Sequence, residues 1–315
     1  MNTKKIIPAL LLASAIIVSC SKPDTKPNSK TEISLSPLMQ GIASAVSGME
    51  VLSETKSNPH RDIILTETDF KCDGKPQHLF IAEVNLGGSL KVCASTSNDK
   101  AEIAPSAPMP IHAAAAEQNG KKVYLGINGD VFWGEEGKDR RPAGVFYKDG
   151  KDVVYQPIRE DSEGALFVLK DGAVGIEKYS EFNKKRDNVK EAIGAWHCIV
   201  TDGKKSDYPH DNITDNTNPR TFVGLSKDCR KMYIFVLDGR QKKYSIGLTL
   251  DKVAEICLGA GCHSACNLDG GGSSTMIVRK ESGKDISFPI INKPYDASLG
   301  NVARAISNGL LIYED

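Results

Sequence analysis

The sequence lacks a net charge: 40 Lys and Arg stand against 40 Asp and Glu in 315 residues. Nucleic acids and anionic membrane surfaces select strongly basic partners, so neither is the expected main ligand. The N-terminal apolar run, Ile6–Val18, falls short of the roughly 20 residues of a membrane-spanning helix. The histidines His60, His78, His112, His197, His210 and His263 form no H-x-H or H-x3-H pair, and the cysteines form no C-x2-C knuckle. Those are the spacings on which dinuclear centres and structural zinc sites rely. Beyond the N-terminal segment no Pro- or Ser-rich break divides the chain, which argues for one domain with an ample core.

What is present begins with Lys4-Lys5, the Ile6–Val18 run and Ser19-Cys20. A basic start, a short apolar stretch and a small-residue end make an export segment. The cysteine at its end resembles a bacterial lipoprotein signal, with residues 1–19 removed and Cys20 lipidated. Residues 20–33, with prolines and interspersed charges, read as a flexible tether. The expectation is an exported domain held to the bacterial envelope through lipid on Cys20. Export permits disulfides, and Cys72, Cys93, Cys198, Cys229, Cys257, Cys262 and Cys266 remain, an odd number whose connectivity the sequence leaves open. Cys257, Cys262 and Cys266 beside His263 make a poor zinc spacing. Buried apolar packing, or one disulfide beneath the glycine-rich stretch that follows, suits them better.

Patterning predicts an α+β fold: a largely antiparallel sheet core with flanking helices. Ser36-Pro37 caps a first helix carrying Leu38, Ile42, Val46 and Met49. Arg61–Thr66, His78–Val84 and Leu90–Ser95 read as a meander, and residues 34–100 as an N-terminal helix and meander packed on the main domain, 101–315. Pro110–Asn119 reads as a helix and Lys122–Ile127 as a buried strand. Asp149-Gly150 and Asp171-Gly172 turn two hairpins. Val189–Trp196 is assigned to a helix leading into a strand at Cys198–Thr201. Thr221–Leu225 and Met232–Leu237 pair, and Thr249–Leu258 is a capped helix ended by Gly259. Ser264–Asn267 is a short strand, Thr275–Arg279 and Ile286–Ile290 form a hairpin, and Arg304–Ile312 closes the chain.

The stretch Asn267–Met276, with Asp269, Gly270, Gly271, Gly272, Ser273, Ser274 and Thr275 in sequence, is costly if it only turns the chain. Each glycine gives up roughly 0.5–1 kcal/mol relative to alanine. A ligand would justify the run, since successive N–H groups in such a turn form an anion-binding nest and the hydroxyls add donors. Polar residues also gather where other apolar strands stop: Asn128 and Asp130, then Asp238 and Arg240, with Arg220 just before a strand. An Asp-Gly at a strand end is equally a hairpin turn. The two arginines are not needed for turning and supply anion-binding forks.

These segments, Gly126–Phe132, Pro219–Gly224, Asp238-Gly239-Arg240, Ser245–Leu250 and Asn267–Met276, resemble in kind and order the phosphodiester glycosidase family. The resemblance spans roughly Ile111 to Leu311 and includes Arg304 ahead of the last strand. It implies hydrolysis of a sugar-1-phosphodiester of the N-acetylglucosamine type. Arg220, Arg240, Thr221, Arg304 and the Gly270–Ser274 stretch would bind phosphate and substrate, Asn128 and Asn267 would contact the sugar, and Phe132 or Trp133 would stack on it. Asp269 is then the leading catalytic carboxylate, with Asp238 and Asp130 as rivals. No cofactor is expected, although a single calcium or magnesium ion beside the aspartates stays open. Metal-dependent cleavage at phosphorus and a noncatalytic glycan-binding lipoprotein are the alternative functions. Oligomeric state has no signature in the sequence.

Overall fold

The computed structural model describes residues 33–134, 140–157 and 159–315. The expected export segment, Cys20 and all of the tether but Ile33 lie outside the described residues. Ser34–Asp315 form one unit. Its fold is α+β, dominated by antiparallel sheets with a few helices.

An eight-stranded sheet runs Met49–His60, Ile63–Cys72, Lys75–Asn85, Lys231–Leu237, Arg220–Leu225, Ser264–Asn267, His197–Thr201 and Lys204–Lys205. A five-stranded sheet runs Val174–Lys178, Gly164–Leu169, Val189–Ala195, Val145–Lys148 and Lys151–Tyr155. A four-stranded sheet runs Met276–Val278, Lys122–Asn128, Gly309–Glu314 and Lys91–Ser95. The three sheets share one core: Phe80, Ala82 and Val84 from the first meet Leu166 and Ile193 from the second and Leu125, Ile127 and Leu310 from the third. Strand period two sends Leu79 and Ile81 to the opposite face, where helices α1 (Pro37–Ala45) and α4 (Leu250–Gly259) cover them with Met39, Ile42, Val253 and Ile256. Helix α2 (Met109–Gln118) covers the outer face of the third sheet through Met109, Ala113 and Ala116. Helix α3 (Tyr179–Phe182) packs against the second.

Local chemistry accounts for the elements. Ser36 Oγ accepts the N–H of Met39 and Pro37 opens α1; Thr249 accepts the N–H of Lys252 at the start of α4. Asp73-Gly74 and Asp149-Gly150 both take positive φ at each residue, as a two-residue turn of that type demands. Of the expected meander, Ile63–Cys72 and Lys75–Asn85 join the main sheet because Lys75–Asn85 pairs along Lys231–Leu237, whereas the third strand, Lys91–Ser95, pairs instead with Gly309–Glu314 in the four-stranded sheet.

Four expectations are corrected. Val189–Ala195 is a strand, not a helix: it pairs with Gly164–Leu169 and Val145–Lys148, and its side chains alternate between two cores, Ile193 and Ala195 in one, Val189 and Ala192 in the other. Met49–His60 is an additional strand, polar because it lies at a sheet edge. Met276–Val278 pairs with Lys122–Asn128 and meets the expected hairpin partner only at Ile277–Ile290, the hairpin tip being Lys280–Ser282 with Asp285–Ser287. The closing strand is Gly309–Glu314, which leaves Arg304 in the preceding loop.

Helices α1 and α4 cross at Gly41 and Gly259, where a Cβ on Gly41 would strike the carbonyl oxygen of Gly259 and one on Gly259 would lie 2.6 Å from Ile42 Cα. Gly41→Ala should therefore destabilise the protein by about 1–3 kcal/mol in urea denaturation, because backbone cannot yield as a side chain can. A gain in stability, as alanine gives in an open helix, would mean the two helices do not cross there.

Candidate active site

Strand pairing explains why the dispersed polar segments converge. Arg220 lies opposite Leu237, and Asn267 lies opposite both Phe222 and His197. Arg220, the Asp238–Arg240 turn, Trp196 and the loop after Asn267 thus leave the large sheet at one edge. There the structure holds a cleft of about 440 Å³ whose lining includes Arg220, Arg240, Arg304, Asn267, Asp269, Gly270 and Gly271. Val131, Trp133, Trp196, Asn212, Ile213, Asn218, Pro219 and Leu268 complete its walls. Recesses of about 420 Å³ beside Cys229 and 240 Å³ beside Tyr313 have no arginine in their walls.

Arg220 is buried at the cleft wall. Its Nε donates to Leu248 O at 3.2 Å, and its Nη2 donates to Ile213 O at 2.6 Å and Asn216 O at 3.0 Å. Those carbonyls fix the guanidinium without neutralising it, and burial, aided by the charge of Arg240, pulls it down to about 10. Arg240 donates from Nη2 to Asn218 Oδ1 at 3.0 Å. Neither arginine forms an ion pair with a carboxylate among the described residues. Arg304 differs: its Nε meets Asp296 Oδ2 at 2.7 Å and its Nη1 Ser273 Oγ at 3.3 Å. The Asp296 carboxyl is held far below the usual carboxylate range by Ser298 and Arg304 against a counteracting burial.

Asp269 is partly exposed in the cleft. Desolvation pushes its carboxyl up to about 6, and Ser273, Arg304, the Gly270 N–H and Arg240 restrain the rise. Asp130 lies behind it, 4% exposed. Burial drives the Asp130 carboxyl up to about 8, with the Gly144 N–H opposing at 2.8 Å and the Asp269 charge adding to the rise. Gly194 abuts Asp130 Oδ2, so only glycine fits that point of the strand, and a Cβ there would also lie 3.0 Å from the Tyr179 hydroxyl. Asp238 is placed elsewhere. Its carboxylate accepts from Tyr244 Oη at 3.0 Å, Asn292 Nδ2 at 2.9 Å and the Lys293 N–H at 2.9 Å, and it pins the turn rather than facing the cleft.

The glycine-rich stretch has a different use from an anion nest. The Gly271 N–H bonds Pro219 O at 3.0 Å, and the N–H groups of Ser273 and Ser274 turn back to Gly270 O and Gly271 O. Each glycine permits an approach: Gly270 to Pro219 O (2.7 Å from a Cβ), Gly271, at φ +60°, to the Arg240 guanidinium (3.0 Å), and Gly272 to Arg304 Nη2 (2.9 Å). Ser273 and Ser274 are buried beneath the surface of the cleft. Thr221 Oγ1 donates to Asn128 Oδ1 at 2.7 Å, and Asn128 Nδ2 donates to Asp269 O at 2.7 Å, so both position the loop rather than contact a ligand. Asn267 and Trp196 stay in the wall, with Asn267 Oδ1 and Trp196 Nε1 lacking partners among the described residues. Trp133 is 55% exposed, whereas Phe132 packs into the core beneath it.

Sequence reasoning missed Trp196 as a site residue, together with Asn212, Ile213 and Asn218, and reached Pro219 only as the start of the Pro219–Gly224 segment. An aromatic directly before a strand at the polar edge was the available signal. The Gln241-Lys242-Lys243 stretch does not line the cleft, Gln241 bonding instead to Lys293 O. The aspartates do not assemble into a cation site: Asp238 already accepts N–H donors, and no group of three or more His, Cys, Asp or Glu suited to a metal occurs among the described residues.

A carboxyl raised from 3.8 to about 8 favours the folded state fully below about pH 4 and loses that contribution as pH climbs to about 8. The stability of Asp130→Asn relative to the native chain should therefore rise between pH 5 and pH 8.5 in urea titrations. An equal difference at both pH values would show that Asp130 is ionised throughout.

The phosphodiester glycosidase family model matches residues 121–313. Among solved structures, the chain is similar to the zebrafish N-acetylglucosamine-1-phosphodiester α-N-acetylglucosaminidase catalytic domain, auto-inhibited by its pro-peptide, with 21% identity over 85% of this chain and 89% of that one and a TM-score of 0.57. It is also similar to a hypothetical protein from Synechocystis, at 13% identity over 84% of this chain and 64% of that one, with a TM-score of 0.55. No curated protein matches it. With the family match extending from the strand that ends at Asn128 through Asp269 to the closing strand, the chain belongs to the phosphodiester glycosidase family.

Proposed function

We propose that the chain hydrolyses sugar-1-phosphodiesters at the sugar C–O bond, releasing a free sugar and a phosphomonoester, with N-acetylglucosamine-1-phosphodiesters as the substrate type. The observation that carries this reading is the presence of Arg220 and Arg240, without carboxylate partners among the described residues, in one cleft with Asp269. A buried guanidinium lacking a counterion is costly, and a phosphate suits its planar fork.

The chemistry needs no strong acid. When C1–O breaks, the bonding pair passes to a phosphate oxygen, which is stable as an anion. Water supplies the new hydroxyl at C1 and gives up a proton. The site must hold positive charge at the phosphate and negative charge beside the oxocarbenium-like carbon. The two arginines meet the first need, and Asp269, ionised above about pH 6, meets the second. The exposed face of Trp133 suits a sugar ring. The activity in the zebrafish relative's name supports the same sugar. The reading extends to location, an exported enzyme tethered through lipid on Cys20 and acting on phosphate-linked glycans.

The full chain is to be incubated with N-acetylglucosamine-1-phosphomannose in ¹⁸O water, with and without EDTA. Label should enter the released sugar, and chelation should leave the rate unchanged. Label in the phosphate would sink C–O cleavage, and binding without turnover would favour a glycan-binding role. Asp269→Asn should lose about 10²-fold or more in kcat while still binding, and Arg240→Gln should lower kcat/KM by about 10–100-fold. For the native enzyme kcat/KM should rise through about pH 6 and fall above about pH 8, with the alkaline limb abolished in Asp130→Asn; absence of the acid limb would remove Asp269 from the chemistry.

A further inference from the structure

Cys257 and Cys262 occupy the two positions that a helix C-terminus folds together. α4 ends at Gly259 with Ala260 as its cap, Gly261 takes φ +86°, and the Cys262 N–H returns to Cys257 O at 3.0 Å. This is a Schellman closure, in which the residue two beyond the cap bonds to the third-from-last helical residue and their side chains meet. Both are buried free thiols. A turn this tight draws the two Cα atoms toward the span of about 4.4–6.8 Å that a disulfide bridges. Both side chains are buried in the layer beneath the helices. Cys266, though close in sequence, enters the core between the sheets beside Cys198, its register partner.

We propose that Cys257 and Cys262 form a disulfide, a redox-closed clasp on the C-terminus of α4. An Sγ–Sγ bond replaces two S–H bonds. The two hydrogens pass to an oxidant of the disulfide class, glutathione disulfide or the disulfide of a thiol oxidoreductase, which leaves as two thiols. Burial and the neighbouring thiol push the Cys257 thiol well up, so the folded protein offers little thiolate and closure belongs to folding, before the helix end is covered. From Cys262 the chain passes through His263, whose N–H bonds Leu225 O at 2.7 Å, into Ser264–Asn267 and then Asp269. The clasp ties α4 to the strand that delivers the carboxylate of the cleft.

To test it, the full-length protein is unfolded under reduction and refolded in a glutathione and glutathione disulfide buffer. Free thiols are blocked with iodoacetamide in denaturant, and the disulfides are then reduced and labelled with N-ethylmaleimide for peptide mass mapping. Cys257 and Cys262 should both carry maleimide, and Cys266 the carbamidomethyl group. Carbamidomethyl on the pair, or maleimide on Cys257 and Cys266 with Cys262 blocked, overturns the assignment. Reduction should also lower the Tm of the refolded protein by about 3–6 °C, a shift that the C257A/C262A double variant should lack; an equal shift in that variant would place the effect on another pair. If the double variant fails to fold, the mapping of the native chain decides.

Discussion

The buried carboxamide of Asn128 joins the parts on which the cleft depends. Its Oδ1 accepts from Thr221 Oγ1 at 2.7 Å and from the Thr275 N–H at 3.1 Å, while its Nδ2 donates to Asp269 O at 2.7 Å. One side chain from the four-stranded sheet thereby holds the first turn of a strand in the eight-stranded sheet and both ends of the glycine-rich loop. A carboxamide suits this place because it offers a donor and an acceptor fixed at opposite corners of one plane. An aspartate there would set a second buried charge against Asp269, and an apolar residue would leave the Thr275 N–H and the Asp269 carbonyl without their partners.

With the loop fixed in this way, the glycines are a packing requirement that serves the site indirectly. The Gly271 N–H bonds Pro219 O and the N–H groups of Ser273 and Ser274 close the loop upon itself, while side chains bring positive charge to the cleft. What the missing Cβ atoms permit is the approach of Arg240 and of the Arg304–Asp296 pair to the main chain that carries Asp269. The entropy that the glycine run gives up is thus tied to the spacing of charges around one carboxylate.

Much of this was legible in sequence because it is encoded locally. Ser36 and Thr249 announce their helices, the Asp-Gly pairs announce their turns, and the end of an apolar strand places Asn128, Asp130, Asn267 and Asp269 at one edge. The failures share a cause: in each, a distant partner decides. Val189–Ala195 contains good helix formers, yet Gly194 must lie flat against Asp130, and Ile193 and Val189 must reach opposite cores. Met49–His60 is polar because it has one neighbour, which composition alone does not reveal. Asp238 and Asp130 look alike as strand-end aspartates, but Asp238 is surrounded by N–H donors from Asn292 and Lys293, more than fifty positions away in the chain, whereas Asp130 is buried beside the Asp269 charge with only the Gly144 and Val131 N–H groups to oppose it.

That contrast in environment orders the carboxylates by what each can do. A carboxylate whose oxygens already accept several donors has little left to offer a substrate, which describes Asp238. A carboxyl so deeply buried beside other acids that two backbone N–H groups do not offset the cost keeps its proton at neutral pH, which describes Asp130. Protonated, Asp130 places no charge behind Asp269; ionised, it would raise the cost of the Asp269 anion in a region that water reaches poorly. Asp269 stands between these extremes, open to the cleft and restrained by Arg240 and Arg304. Its charge is therefore available near neutral pH in the cleft that also holds Arg220 and Arg240, neither of which forms an ion pair among the described residues.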